Sequence, residues 1–452
     1  MAVSQGTMIK SFVSAIDFLD QRDIDPNIYD QSRDRAFTDI MKVVNRYKPC
    51  TMFFYNNFVN QDVYEVGTIS SVTSTGLAQI QFTINTASTF PRVGDLVMTS
   101  NANNIGKQAR VQAVTFGSGT ATLTVRSVGG NASPFFATNG DQVQFGSNAF
   151  AEKSGAPVNR RYGLTKYYNN IQVFREVDEI TDIQKVAKIE VNVGGDYHIL
   201  PYQIIQKYTK LNGDISVQMM AGVQSSTLFN DANPFLADPT TGLPIQTTGG
   251  LDWYVTTYGI SDSAAVLGTF TFTELDEIID NFIANKAPLD HMVFCGSRSY
   301  RIISKFLKNL GSSGVTSVRL FIDGRDFDFE VEQLKYGGYT FDFIHIPIFD
   351  HPQLFSATLR PDVNGSLYFV PKDQVDTMDN GRQPRIQIRH TPTPFMGSSA
   401  NKSANGIVTE WRTGALAEIP TDSNAQLHTD WYTAQGLECL AVKHFQKYRI
   451  AS

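Results

Sequence analysis

One stretch of about 80 residues, residues 62–147, sets the tightest limit on this fold, because it is almost free of charge and built from short alternating runs. Six charged residues lie between Gly67 and Gly146: Arg92, Asp95, Lys107, Arg110, Arg126 and Asp141. Runs such as Leu77-Ala-Gln-Ile-Gln-Phe-Thr-Ile84, Val111-Gln-Ala-Val114 and Thr120-Ala-Thr-Leu-Thr-Val125 fill much of the rest. Successive strand side chains point to opposite faces, so period-two alternation broken by turn residues predicts a small antiparallel barrel or sandwich. Val93-Gly-Asp-Leu-Val97 and residues 106–114 look like parts of a barrel of the SH3 or OB type. The block lacks the Lys/Arg stripe with interleaved aromatics that nucleic-acid binding needs.

The flanks of this block alternate as well. Thr51-Met-Phe-Phe-Tyr-Asn-Asn-Phe-Val59 leads in and Tyr167-Tyr-Asn-Asn-Ile-Gln-Val-Phe-Arg-Glu-Val177 leads out. Paired antiparallel, they would close a long two-stranded loop with the barrel at its tip. Upstream, residues 34–47 read as a helix with Ala36, Ile40, Val43 and Val44 on one stripe.

Downstream the pattern changes from period two to the period of a helix. A proline at the first helical turn, Pro201, opens the longest candidate, which runs to about Ala221. Ile204, Tyr208, Leu211, Ile215 and Met219 make one narrow stripe, as expected of a helix lying across a sheet. Gly213 sits in its middle and predicts a bend there. Residues 222–260, rich in Pro and Gly, read as loop.

Thr273 with Asp276 reads as a capping box, followed by an apolar face of Leu275, Ile278, Ile279, Phe282 and Ile283. His291-Met-Val-Phe-Cys295 reads as a buried strand. Ser297 then caps a helix with Tyr300, Ile303, Phe306, Leu307 and Leu310 inward, ended by Gly311. Strands follow at 318–322 and 327–331, joined at Asp323-Gly324, and at 341–348, 367–370 and 385–389. Residues 397–406 read as an exposed loop, and residues 427–445 as a terminal hairpin turning near Gln435-Gly436.

With 452 residues, 31 Phe and 18 Tyr, the chain holds enough apolar mass for two or three domains. A net charge of −6 offers no global field for nucleic acid or anionic membrane. Cys50, Cys295 and Cys439 are widely spaced and odd in number, which fits reduced thiols in a cytosol. The opening Met1-Ala-Val-Ser-Gln-Gly has no basic stretch before an apolar core, so no secretory signal is expected, and no apolar run approaches a membrane span.

Catalytic signatures are missing. The chain has no phosphate-binding Gly-x-x-x-x-Gly-Lys-Ser/Thr loop, no dinucleotide fingerprint, no Cys-x-x-Cys and no His-Glu-x-x-His. The seven histidines (His198, His291, His345, His351, His390, His428, His444) are scattered. The densest polar cluster is Asp342, His345, Asp350 and His351, where a metal or acid–base role competes with ordinary strand-end polarity. Ser297 after Gly296 resembles a strand–turn–helix serine but lacks the second glycine of a nucleophile elbow, so it reads as a cap. Arg160 and Arg161 are either solvated or an intersubunit ion-pair contact. The sequence therefore names no catalytic, cofactor-binding or metal residue, and no enzyme is expected.

Taken in order, these pieces resemble the major capsid proteins of tailed bacteriophages with the Hong Kong 97 fold. The run Phe272-Thr-Glu-Leu-Asp-Glu-Ile-Ile-Asp280 followed by His291-Met-Val-Phe-Cys-Gly-Ser-Arg-Ser-Tyr-Arg-Ile-Ile303 is similar to that family's axial domain, and Gly436-Leu-Glu-Cys-Leu-Ala-Val-Lys-His-Phe445 to its returning peripheral strand. The flavour is also similar to capsid proteins of crAss-like gut phages. The resemblance implies an α+β fold with an N-terminal arm (1–49), an extended β loop (50–180) carrying a small all-β barrel (about 62–147) and a peripheral domain (181–260) with a spine helix (about 201–225). An axial domain (261–390) and return strands (391–452) complete it.

It further implies a shell subunit of the virion, made in the bacterial host cytoplasm, whose partners are hexamers and pentamers of itself, a portal and minor or auxiliary capsid proteins. Packaged double-stranded DNA would be non-specific contents, with no membrane involved. Some relatives remove an N-terminal scaffolding segment, and nothing in this chain looks like one. A tail or baseplate protein is the first alternative, expected to lack the spine helix and the two capped helices. A glycan-active enzyme is the second, and would need a carboxylate pair that no residues here nominate.

Overall fold

The computed structural model describes residues 47–60, 66–76, 79–85, 91–157, 164–186, 188–193, 196–226, 234–311, 321–322, 325–326, 333–351, 354–355, 358, 360–376, 381–391, 401–402, 408–417, 423 and 425–451. The chain divides into two compact units: Phe58–Tyr167, and Met1–Asn57 with Tyr168–Ser452. The expected helix at 34–47 lies outside the described residues except for Tyr47, which opens a strand, Tyr47–Pro49.

In the first unit, six strands close on themselves in the order Val66–Thr75, Gln79–Asn85, Thr120–Ser127, Ala109–Gly117, Asp95–Thr99 and Gln142–Asn148. The alternation in the sequence is the cause. Ile80, Phe82 and Ile84 point inward with Val97, Val111, Leu123, Val125 and Val143, all buried. Their outward neighbours are mostly Thr, Gln and Arg, with Leu96 and Met98 flanking Val97, and on that outer side Thr83 and Thr122 hydrogen-bond hydroxyl to hydroxyl at 3.1 Å. The strands that enter and leave this block, Phe54–Asn60 and Leu164–Asn170, pair with each other.

The second unit is built on two sheets. The first has the order Tyr47–Pro49, Ile386–His390, Gln426–Cys439, Thr409–Thr413 and Asn401–Lys402, with Gln172–Thr181 also paired to Gln426–Cys439 over ten positions. The expected terminal hairpin is therefore replaced by one 14-residue strand, Gln426–Cys439, that runs straight through Gln435-Gly436. Gly436 is not a turn residue. A Cβ there would lie 2.6 Å from the Asn170 carbonyl oxygen and 3.0 Å from the Tyr55 hydroxyl, so glycine serves the close approach of neighbouring chain.

The second sheet runs Ile260–Ser263, Gln446–Arg449, Ser366–Pro371, Asp290–Cys295, Tyr339–His345 and Gln333–Tyr336. Both its faces are covered, which is why Ser366–Pro371 is buried at every position. On one face Val293, Cys295, Leu367 and Phe369 meet Leu275, Ile278, Ile279 and Phe282 of the helix Phe272–Ala284, and Ile303 of the helix Ser297–Gly311. On the other, Phe294, Tyr368 and Val370 join a core with Leu211, Ile215, Met219 and Met220 of the long helix Ile199–Ala221. The long helix continues through Gly213.

Several expectations change. The helix Phe272–Ala284 is capped by Thr271 with Glu274, two residues earlier than Thr273 with Asp276, because the glutamate reaches back to the Thr271 amide at 2.7 Å. Ile283 is exposed, not on the apolar face. Residues 251–258, read as loop, form a helix whose Leu251, Tyr254 and Val255 are fully buried. Of the strand pair expected around Asp323-Gly324, Phe321–Ile322 pairs with Arg325–Asp326 and the remainder lies outside the described residues. Within 397–406, Asn401–Lys402 forms an edge strand and the rest lies outside the described residues.

Candidate functional site

Among the described residues, a hydroxyl, an imidazole and a carboxylate converge at the start of the helix Ser297–Gly311. The strand Asp290–Cys295 delivers Ser297, the parallel strand Tyr339–His345 delivers His345, and the short 3-10 turn Pro347–Asp350 folds Asp350 back onto both. Asp350 Oδ1 accepts from the Ser297 amide at 2.7 Å, and Oδ2 from the Ser297 hydroxyl at 2.5 Å. His345 Nε2 lies 2.6 Å from Asp350 Oδ2 and 2.9 Å from Ser297 Oγ. Burial alone would raise the Asp350 pKa, but the hydrogen bonds from His345 and Ser297 hold it below its ordinary value.

This triangle is not a nucleophilic relay. A relay needs the carboxylate on one ring nitrogen and the hydroxyl on the other, whereas here a single nitrogen faces both. Gly296 occupies the cap position, since its carbonyl takes the first helical bond from Tyr300 at 2.9 Å. Asp350 then supplies the carboxylate that satisfies a free N–H at the positive helix end. Ser297, expected to be the cap, is instead the first helical residue.

The other members of the sequence cluster do not join. Asp342 pairs with Lys372 and accepts from Gln333 Nε2 at 2.8 Å. His351 follows Asp350 in the chain, and its amide bonds to the Ile348 carbonyl at 3.2 Å. Among the described residues no group of three or more His, Cys, Asp or Glu is placed to hold a metal ion.

Elsewhere, His291 is fully buried and stacked on Phe282 at 4.2 Å; burial pushes its pKa down to about 4. His444 is also lowered to about 4, by burial first and then by Arg385, which donates to its Nδ1 at 3.0 Å. His390 is lowered by burial, and His428 contacts the Gln426 side chain at 2.7 Å. The His198 side chain, Arg160 and Arg161 lie outside what is described.

Two buried ionic groups escaped sequence reading. Asp252 receives Lys447 Nζ at 2.5 Å, Tyr368 hydroxyl at 2.8 Å and Arg360 Nη2 at 3.2 Å. Glu438, fully buried, takes Arg389 in a fork at 2.6 and 2.8 Å. The partners of Asp252 are 108 to 195 residues away, so no local pattern announces them. These are fastenings between segments distant along the chain.

The polar groups described so far act as a helix cap and as fastenings, and comparison with known proteins gives the family. A family model described as the SU10 major capsid protein matches residues 62–350, well over half of the chain. The chain belongs to the SU10 major capsid protein family. It is a structural protein of the virion, a major capsid protein forming the shell. The SU10-type match runs through the barrel, the long helix and the second sheet as far as Asp350.

Among solved structures, the capsid of the native GTA particle is 9% identical over 97% of this chain and 98% of its own, with a TM-score of 0.44. Microbacterium phage Oxtober96 is 8% identical over 97% and 99%, at 0.41, and Gordonia phage Cozz is 11% identical over 96% and 93%, at 0.39. At these TM-scores the likenesses add no weight, and the family match carries the assignment. No curated protein matches the chain. Among the described residues, no helix is long and apolar enough to cross a membrane.

Proposed function

We propose that this protein assembles, as hexamers and pentamers of itself, into the icosahedral shell of a tailed bacteriophage enclosing double-stranded DNA. The observation that carries the reading is the family match over residues 62–350. In this reading the fold is of the Hong Kong 97 type. Residues 1–49 are the arm, 50–180 the extended loop with the barrel inserted, 181–260 the peripheral domain, 261–390 the axial domain and 391–452 the return to the periphery. Synthesis takes place in the host cytoplasm, a portal and minor capsid proteins complete the particle, and catalysis has no part.

The paired strands that flank the barrel support a role in contacting neighbours. Their alternation leaves Phe54, Phe58, Leu164 and Tyr168 exposed at 41, 62, 60 and 43%, while Tyr55 and Tyr167 are buried. Large apolar side chains held outward on a regular ribbon are what an assembling subunit needs, since each, already about half buried, would gain roughly 1 kcal/mol on full burial. Negative-stain electron microscopy of the purified chain, alone and co-expressed with the scaffold encoded beside it, tests the proposal. Shells, tubes or five- and six-fold rings are expected; single subunits under every condition would overturn it.

A further inference from the structure

The barrel carries an arrangement that its own stability does not favour. Arg110 and Arg126 are cross-strand partners on the antiparallel pair Ala109–Gly117 and Thr120–Ser127, so two guanidinium groups start directly opposite each other. Like charges so placed destabilise a strand pair. Both point outward, since Ala109, Val111 and Val125 beside them are fully buried in the barrel interior. Arg110 Nε donates to the Ala149 carbonyl at 2.8 Å, and among the described residues no carboxylate pairs with either guanidinium.

A cavity of about 560 Å³ lies one row along the same face. Gln108 and Val128, two residues from Arg110 and Arg126 and joined by a 2.9 Å backbone bond, share their outward side. They line it with Met98, Ile105 and Lys107, and Ile105 and Val128 are 87 and 63% exposed. The face therefore combines two cations that no described carboxylate neutralises with a hollow of mixed lining, where Asn104, Gln108 and Ser127 sit beside Met98, Ile105 and Val128.

Charge over the whole chain indicates the occupant. Residues 58–167 carry eight Lys and Arg against five Asp and Glu, a formal +3; the remainder carries 30 against 39, a formal −9. We propose that Arg110, Arg126 and the adjoining cavity form a docking site for a carboxylate-bearing patch on the acidic unit of a second copy of this chain. This rests on the shell reading above and names the contact the barrel makes in it. Two cations without interleaved aromatics are too few to hold a nucleic-acid backbone, and a neighbouring subunit supplies carboxylates at high local concentration.

Sedimentation velocity on the full chain across protein concentration and salt is the test, with far-UV circular dichroism as the check on folding. Wild type is expected to associate more weakly as salt rises, and R110E/R126E to need about ten times more protein for the same association, the lower range for a paired interface charge. R126Q, which alters an exposed residue, is expected to fall between them and keeps the test open if the double variant misfolds. Equal association of wild type and R126Q, or of wild type and a folded R110E/R126E, overturns the docking site and leaves the shell reading intact. A wild type that never associates removes both. Binding of wild type to a short duplex DNA that R126Q loses would assign the pair to phosphate instead, and also overturns the proposal.

Discussion

In the barrel, Ile80, Phe82, Ile84, Leu123 and Val125 fill the interior, and buried Asp95 pairs with Arg92 only three residues away; in the larger unit, Asp252, Lys447 and Glu438 lie inside with the apolar groups and pair across long stretches of chain. The barrel strands are neighbours along the chain, so short turns and alternation suffice to bring them together. The larger unit gathers segments more than 100 residues apart, and its buried ion pairs fix which segments meet. A buried ion pair adds little to stability over a well-packed apolar group, yet losing one partner strands a charge. Local order therefore comes from pattern, and long-range order from pairing.

The largest effects should separate the two regions. Phe82→Ala empties the centre of the barrel and is expected to cost about 3–5 kcal/mol, while Asp252→Asn leaves Lys447 and Arg360 with Asp362 as their remaining shared anion, at a cost of about 3 kcal/mol, the low end for a broken buried pair. Scanning calorimetry of the full chain should show each variant lowering a different transition. A single transition moved equally by both would break the distinction.

Acid should act on one region alone, since all seven histidines lie outside residues 58–167. His291 has a folded pKa of about 4 against 6.5 unfolded, so the unfolded chain binds the extra proton between those values. Its contribution is complete above pH 6.5 and disappears as pH falls toward 4, on the order of 3 kcal/mol. Urea midpoints measured from pH 7 to 4 should fall for the larger unit, and fall less in His291→Phe. An equal fall in the variant would contradict the role assigned to His291.

The smallest effect concerns the long helix. A Cβ at Gly213 meets nothing within 4 Å, so Gly213→Ala should stabilise the larger unit by about 0.5–1 kcal/mol and leave the barrel unchanged. A destabilisation would mean the helix needs glycine there.

The same contrast explains what could be read in the sequence. The runs around Gln79–Asn85 and Thr120–Ser127 declare their strands because each side chain's environment follows from its neighbours. The helix Leu251–Tyr258 did not, since the glycines and prolines before it read as loop and its buried Leu251, Tyr254 and Val255 are too few for a period. Gly436 looked like a turn because glycine's tight approach to Asn170, 266 positions earlier, leaves no local trace. Ser297, His345 and Asp350 were each visible, but only the fold reveals that one imidazole nitrogen faces both partners and that the group closes a helix end.

The central claim is that these two regions belong to a subunit built to assemble. Native mass spectrometry of the purified full-length protein tests it most directly. Species at five and six times the chain mass, or closed particles far heavier, are the predicted result. A single-chain mass across all concentrations and salts would contradict the account.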